Sequence, residues 1–407
     1  MRATTLALAA FFTVVQFYTS LAALSPTPPV GFVFASPNIA RALVAILVVG
    51  TLWSLARLVP QRARLDPTST AICAAWVGSA ALSAVLGVDP QSSLQVVGMM
   101  AMAAIFHLAF VRFAGESGVV CGVVGAYLAV GTAATIAALA MFALHRPAAL
   151  WVLNNGRAAG FFVTANQFAA FLIAFVFVAI GVGLGRRGLV RGAGLAAAAI
   201  GCAALAATVS IAGWLGAAAG AVFFAVTLGA RRLAVLVAIV TVVGGAAVAG
   251  RPAARHNPAE SFDRLRIWRS GLRVAELFPL TGVGPMGYFR IYPAIRPPNS
   301  DLPGTFGALH PHDAYLSLAG ETGAVGLVAF GYGWWRFART MRSRLRTCAT
   351  SDRVLGLGIC AALVAVLVQG IFDTIGVVEM AFVWIPFAAL ALGSVAPRER
   401  AATRIES

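Results

Sequence analysis

The 407-residue chain contains no lysine, and all 30 of its basic residues are arginines. Charge of any sign is scarce, at 11% of residues, and acids number only 14. An ordinary soluble domain carries about 25% charged residues, so a water-soluble globule is excluded. Disorder is excluded as well, because it requires low hydrophobicity and 60% of these residues are hydrophobic. Cysteine is sparse: Cys73, Cys121, Cys202, Cys348 and Cys360. None falls in the longest polar segment and no CxxC spacing occurs, which argues against a disulfide framework or a thiolate metal site. There is no H-E-x-x-H spacing, solenoid period or low-complexity tract. A mean hydropathy of +0.88 leaves a polytopic membrane protein. A net charge of +16 usually points to nucleic acid or an anionic surface. In a membrane protein it first poses a different question: on which side of the bilayer do the arginines lie?

A spanning helix needs about 20 mostly apolar residues, and about twelve such runs can be read. They lie near 4–24, 38–59, 69–88, 92–113, 117–144, 161–184, 188–209, 211–229, 232–250, 323–339, 354–375 and 378–396. The first run is followed by others and has no convincing cleavage site, so it reads as a helix rather than a signal peptide. Nineteen of the 30 arginines, from Arg2 and Arg57 through Arg186, Arg231 and Arg336 to Arg404, fall on alternate connections. The positive-inside rule places these connections and both termini in the cytoplasm. The short connections on the other side hold only Arg41, Arg146 and Arg157. The expected organisation is therefore all-α. Helices occupy 1–250, a large outer loop 251–322, further helices 323–397, and a cytoplasmic tail 398–407.

That loop carries eight arginines, six acids and three of the five histidines. Long loops translocate regardless of charge, and connections of this length are commonly functional. Its first part, Ser261–Glu276, reads as a helix that Ser261 or Asn257 can cap. Leu265, Trp268 and Leu272 share one face, while Arg266, Arg269 and Arg273 share a neighbouring one. Such a pair of stripes suits a helix resting on headgroups, and equally a phosphate clamp, since guanidinium offers planar bidentate donors. The second part contains a literal G-x-G-x-x-G at Gly282, Gly284 and Gly287. It lacks the strand–turn–helix context of a nucleotide site, and Pro285 interrupts it. It reads as a turn with close backbone approach. The third part packs His310, His312 and Asp313 into four residues beside the tenth span. Imidazole there can act as a general base; as a metal pair, the two histidines have few further ligands. Elsewhere, Asn154, Asn155, Arg157, Asn166 and Gln167 surround the outer end of the sixth span, and Asp373 and Glu379 lie between the last two. Polar groups at membrane depth are costly and often mark a site. Gln95 and His107 in the fourth span read as interhelical hydrogen-bonding groups.

Several of these segments resemble the bacterial O-antigen ligase and O-antigen polymerase superfamily. They are Gly156-Arg157-Ala-Ala-Gly160 with Asn166, Arg266-Ile-Trp268, Pro279-Leu-Thr-Gly282-Val-Gly284 with Phe289, His312-Asp-Ala-Tyr-Leu316 continuing to Glu321-Thr-Gly323 and Gly326, and Asp373 after Gln369-Gly370. The resemblance covers roughly residues 150–390. One departure is Val209-Ser210-Ile211-Ala212-Gly213, where members often carry Ser-Arg-Gly. The resemblance implies a GT-C-like inner-membrane glycosyltransferase, metal-independent and inverting, without a cofactor. Its donor would be an undecaprenyl-diphosphate-linked glycan. A ligase moves that glycan to a lipid A–core sugar and a polymerase moves it to another lipid-linked repeat; no nucleic acid is involved. The implied roles are His312 as base, Arg266, Arg157 and Arg269 on the diphosphate, and His310, Asp313, Asp373 and Asn166 as substrate-binding residues. Two other classes remain. A polysaccharide transporter or flippase should show two-half symmetry, and none is visible. A non-catalytic scaffold would give no reason for grouping His312 with arginines.

Overall fold

A computed structural model describes residues 3–17, 37–59, 65–162, 164–230, 232, 258–295, 310–372 and 383–396. Every regular element among the described residues is helical. In chain order these are α1 (Ala3–Val15), α2 (Pro37–Leu58), α3 (Pro67–Leu86), α4 (Pro90–Phe113), α5 (Val119–Ala143), α6 (Ala148–Leu153), α7 (Ala165–Gly185), α8 (Gly188–Thr208), α9 (Ile211–Thr227), α10 (Pro258–Leu277), α11 (Tyr288–Ile295), α12 (Ala314–Thr347), α13 (Thr350–Gln369) and α14 (Ile385–Ser394). Seven of them, α3, α4, α5, α7, α8, α12 and α13, are long and apolar enough to cross a membrane. The chain is thus a polytopic membrane protein, all-helical in its regular elements among the described residues. The expected ninth span, 232–250, lies outside the described residues apart from Arg232, and the first and last expected spans are described only in part.

Local chemistry sets the helix starts. Asp66-Pro67 and Asp89-Pro90 use the same device twice. The aspartate accepts from a backbone N–H in the first turn (Ser69, Ser92), and proline takes the first helical position, where no N–H is needed. A capping box at Thr164 and Gln167 opens α7. The weak sequence break between the seventh and eighth expected spans is real. Val209 takes a left-handed φ of 48° and Ser210 caps α9 through Gly213 N–H. A β-branched residue at positive φ is a genuine outlier.

Helix α7 is the buried centre of one group, packed against α8 and α13, with α9 on α13. Small residues allow the close approach: a Cβ on Gly358 would meet Phe177 O of α7 at 2.6 Å, so α7 and α13 touch backbone to backbone. In a second group α1, α2, α4 and α14 adjoin, and α3 joins α4 to α12. An aromatic seam crosses the two groups, with Phe12 edge-on to Tyr127 and Phe387, and Tyr127 edge-on to Phe171 and Phe175. His107 reaches Ile385 O on α14 at 3.0 Å, the interhelical bond expected of it, whereas Gln95 is exposed. Two arginines from the runs that signalled orientation also tie helices together. Arg344 pairs with Asp66 and donates to Leu392 O at 3.0 Å, and Arg186 meets Asp352 at 3.5 Å. All five cysteines are free.

The described part of the 251–322 segment folds on its own apolar centre: Val274, Val283, Tyr288 and Tyr292, flanked by Phe278, Ile291 and Ile295. The face that α10 packs inward is not its apolar stripe. Ile267, Ser270, Gly271 and Val274 are buried, while Leu265 and Leu272 are each 52% exposed. The reason is that α10 abuts α12 through its smallest residues. A Cβ on Gly271 would lie 2.8 Å from Pro311, and bulkier leucines cannot occupy that seam. Ser261 begins no helix, since α10 already starts at Pro258; Asn257 lies outside the described residues. Helix α12 starts at Ala314, nine residues before the expected span. It is broken at Gly323 (φ 61°, ψ −161°), so a short leading helix precedes the part that spans.

Candidate functional site

Arg157 follows α6 in a tight turn in which Asn155 and Gly156 both take positive φ (51° and 73°). Buried Asn154 fixes that turn against α7: its Oδ1 accepts Ala165 N–H at 2.8 Å and its Nδ2 donates to Leu150 O at 3.1 Å. The guanidinium is thereby delivered to the α8–α9 break. Arg157 Nε donates to Thr208 O at 2.7 Å and Nη2 to Asn166 Oδ1 at 2.8 Å. The same Asn166 oxygen accepts from Ser210 Oγ at 2.9 Å, and Asn166 O accepts from Gln369 Nε2 at 3.0 Å. Four separate stretches of chain therefore meet at Asn166. The Ser210 turn has no arginine of its own, and Arg157 supplies the guanidinium there.

One residue past Gln369, Gly370 O accepts Ala314 N–H at 2.7 Å. This joins the Arg157 cluster to the histidine segment. His312 has φ 53°, a left-handed conformation that reverses the chain between Pro311 and Asp313. Its N–H donates to His310 Nδ1 at 3.3 Å, and the two rings stand 4.3 Å apart. Asp313 then caps α12, its Oδ1 accepting Tyr315 and Leu316 N–H at 2.8 Å each. Burial pushes the Asp313 carboxyl above its usual range, against the lowering effect of those two donors. Tyr315 Oη donates to Leu367 O at 2.9 Å, a second tie from α12 to α13. Residues in sparsely populated backbone regions concentrate at functional sites, and here Val209 and His312 flank one cluster.

The structure brings Arg157, Asn166, Asp313 and His312 onto one connected network, with the His310 ring against that of His312. Arg266 and Arg269 are exposed on α10, the helix seated on Pro311 through Gly271. Asp373 and Glu379 lie outside the described residues. Sequence reasoning gave Thr208 no role and left Gln369 as part of a motif; the available signal was an amide immediately before Gly370 at a helix end. Beside Arg157, a cleft lined by Arg146, Trp151, Met141, Phe142 and Leu150 offers a second arginine and an aromatic wall. His145 stacks on Trp151 at 3.9 Å. Among the described residues no three His, Cys, Asp or Glu side chains gather as a metal ion requires.

The G-x-G-x-x-G segment serves the backbone, as its setting implied. Val283 and Gly284 N–H donate to Gly320 O and Glu321 O at 3.0 and 2.9 Å, and Ala324 and Val325 N–H donate back to Pro279 O and Leu280 O at 2.8 and 3.1 Å. The segment thus satisfies the backbone groups that the break at Gly323 frees. A side chain on Gly282 would collide with the Glu321 backbone. The segment's other face docks on the α3–α4 turn: Val88 N–H meets Val283 O at 2.9 Å, Ser93 Oγ meets Pro285 O at 2.7 Å, and Arg290 Nε meets Asp89 Oδ2 at 2.8 Å.

Residues 196–331 match the family model described as O-Antigen ligase. No curated protein matches the chain closely enough to extend that comparison. The matched stretch contains the Ser210 turn, α10, the glycine segment and His310–Asp313, while Arg157 and Asn166 lie N-terminal to it and join it through the hydrogen bonds just described. Over residues 196–331 the chain is therefore similar to the O-antigen ligase family.

Proposed function

We propose that this protein transfers a glycan from a polyprenyl diphosphate, undecaprenyl diphosphate in bacteria, to a sugar hydroxyl of lipid A–core at the outer face of the inner membrane. The observation that carries the reading is the single network joining Arg157, Asn166, Ser210, Gln369 and the His312–Asp313 turn. It sets the Arg157 guanidinium and an imidazole at one end of an apolar bundle. A lipid-linked donor needs this combination: apolar helix faces for its tail and guanidinium donors for its diphosphate.

In the reaction His312 takes the proton of the acceptor hydroxyl as that oxygen attacks the anomeric carbon. The bond from that carbon to the diphosphate oxygen breaks, and the leaving group carries away the electron pair. Arg157 and Arg266, supported by Arg269, stabilise the charge that develops there. Attack opposite the leaving group inverts the anomeric centre. Asp313 and Asp373 orient the imidazole or bind sugar hydroxyls, with Asn166 and His310 completing the substrate-binding set. The second reading is a polymerase of the same superfamily, which would extend lipid-linked repeats instead. The test supplies purified protein with a polyprenyl-diphosphate glycan and truncated lipid A–core. Product from wild type, and none from His312→Ala or Arg266→Ala, supports the ligase. Elongation of the donor without acceptor replaces it with the polymerase, and no transfer of either kind refutes the reading.

A further inference from the structure

Glu321 lies two residues short of the break at Gly323 in α12 and is only 2% exposed. A carboxyl group this deeply buried is costly unless it is hydrogen-bonded. Its Oε1 accepts the backbone N–H of Met286 at 3.1 Å. Met286 has φ 65°, a conformation that a flexible side chain does not favour and that persists only where neighbours impose it. The carboxylate therefore holds the glycine segment in a strained turn at the point where that segment bridges α12 and the α3–α4 turn.

The leading piece of α12, Ala314–Thr322, is what this arrangement aims. Asp313 caps its first turn and His312 immediately precedes it. Its far end meets the glycine segment at Gly323, where a Cβ would collide with the Leu280 backbone. Its flank abuts α10, with a Cβ on Gly320 reaching Val274 at 3.3 Å. Because Gly323 interrupts the helix, the membrane part of α12 cannot by itself fix the direction of this leading piece. We infer that Glu321 is a positioning residue: its carboxylate clamps Met286 so that the glycine segment splints the α12 break and fixes His312 for the transfer step.

The role in transfer rests on the function proposed above, whereas the clamp itself is a property of the fold. Glu321→Gln keeps an acceptor oxygen at the same reach. Glu321→Asp keeps the charge but withdraws the oxygen by about 1.5 Å, one carbon–carbon bond. Hydrogen exchange over residues 279–290 of the intact, detergent-solubilised protein should be unchanged in Glu321→Gln and faster in Glu321→Asp. In the transfer assay, Glu321→Gln should stay within about threefold of wild type. Glu321→Asp should lose kcat by tenfold to about a hundredfold, as misplacement by about an ångström does, with KM for the donor within about twofold. Equal exchange in wild type and Glu321→Asp overturns the clamp. Altered exchange with unaltered kcat overturns the positioning role, and so does an equal loss in Glu321→Gln, which would make the charge itself the requirement. If wild type transfers no glycan, the functional reading falls while the exchange comparison still decides the clamp.

Discussion

The Asp313 carboxylate accepts two backbone N–H groups at 2.8 Å and is nevertheless pushed above its ordinary pKa by burial. Capping favours an acceptor at this position, and burial disfavours a charged one. A neutral acceptor satisfies both, so Asp313→Asn should keep or raise the melting temperature, and Asp313→Ala should lose about 1 kcal/mol with the cap. The pH dependence has a definite sign. A carboxyl raised in the folded state contributes stability below its unfolded range, and that contribution is lost as pH rises through the folded value. The loss of stability that Asp313 contributes as pH rises out of the acidic range should therefore be absent in Asp313→Asn, as thermal melts across that range would register. Turnover separates the residue's two tasks. A stable Asp313→Asn that transfers at the wild-type rate would leave Asp313 as a cap alone; a stable variant that is slower would point to its charge acting on His312. Asp89 has the opposite sign. Arg290 and then Ser92 hold its carboxyl below the usual range, so its contribution is present above pH 3.8 and lost as pH falls through the lowered value.

Among the elements, a glycine inside a regular helix and one at a helix break should respond in opposite directions to alanine. Gly78 in α3 has open space where a Cβ would go, and replacing an unencumbered helical glycine removes chain entropy from the unfolded state. Gly78→Ala should raise the melting temperature by an amount corresponding to at most about 1 kcal/mol. Gly323 has a left-handed φ, and a Cβ there would collide with the Leu280 backbone. Strain of that kind costs about 1–3 kcal/mol before the collision is counted, so Gly323→Ala should lower the melting temperature and release the leading piece of α12. A Gly323→Ala protein as stable as wild type would remove the break from the account. The contrast also marks what the sequence reveals. Apolar runs locate the helices because burial in lipid demands about 20 of them in a row, and Gly-x-Gly announces close approach because only a missing Cβ permits it. The partner in that approach is another matter. Nothing near Gly282 in sequence indicates Glu321, and the face of α10 that packs inward gives no sequence signal because Ser270 and Gly271 do not look like a packing stripe.

Over the whole molecule, the same limit applies to the site. His312 and Arg157 stand out individually because charge and imidazole are rare in so apolar a chain. Their common network runs through backbone oxygens of Thr208, Asn166 and Gly370, which carry no sequence signal. The sequence reads globally as a direction, through the 19 of 30 arginines that fall on alternate connections. Arg344 and Arg186, with their partners Asp66 and Asp352, lie at helix ends opposite those that carry Asp89, Asn166 and Asp313. A transferase using a lipid-borne glycan needs the second set of ends to face the compartment that holds both donor and acceptor. This can be measured without any substrate. In a chain whose five cysteines are replaced, a cysteine at Glu276, on exposed α10, and one at Arg346, near the end of α12, should lie on opposite sides. A membrane-impermeant maleimide applied to spheroplasts should label Glu276→Cys and leave Arg346→Cys unlabelled until the membrane is permeabilised. The reverse pattern would put the His312 cluster in the cytoplasm, away from lipid A–core acceptors at the outer face, and the proposed reaction would fail on location before any chemistry was tested.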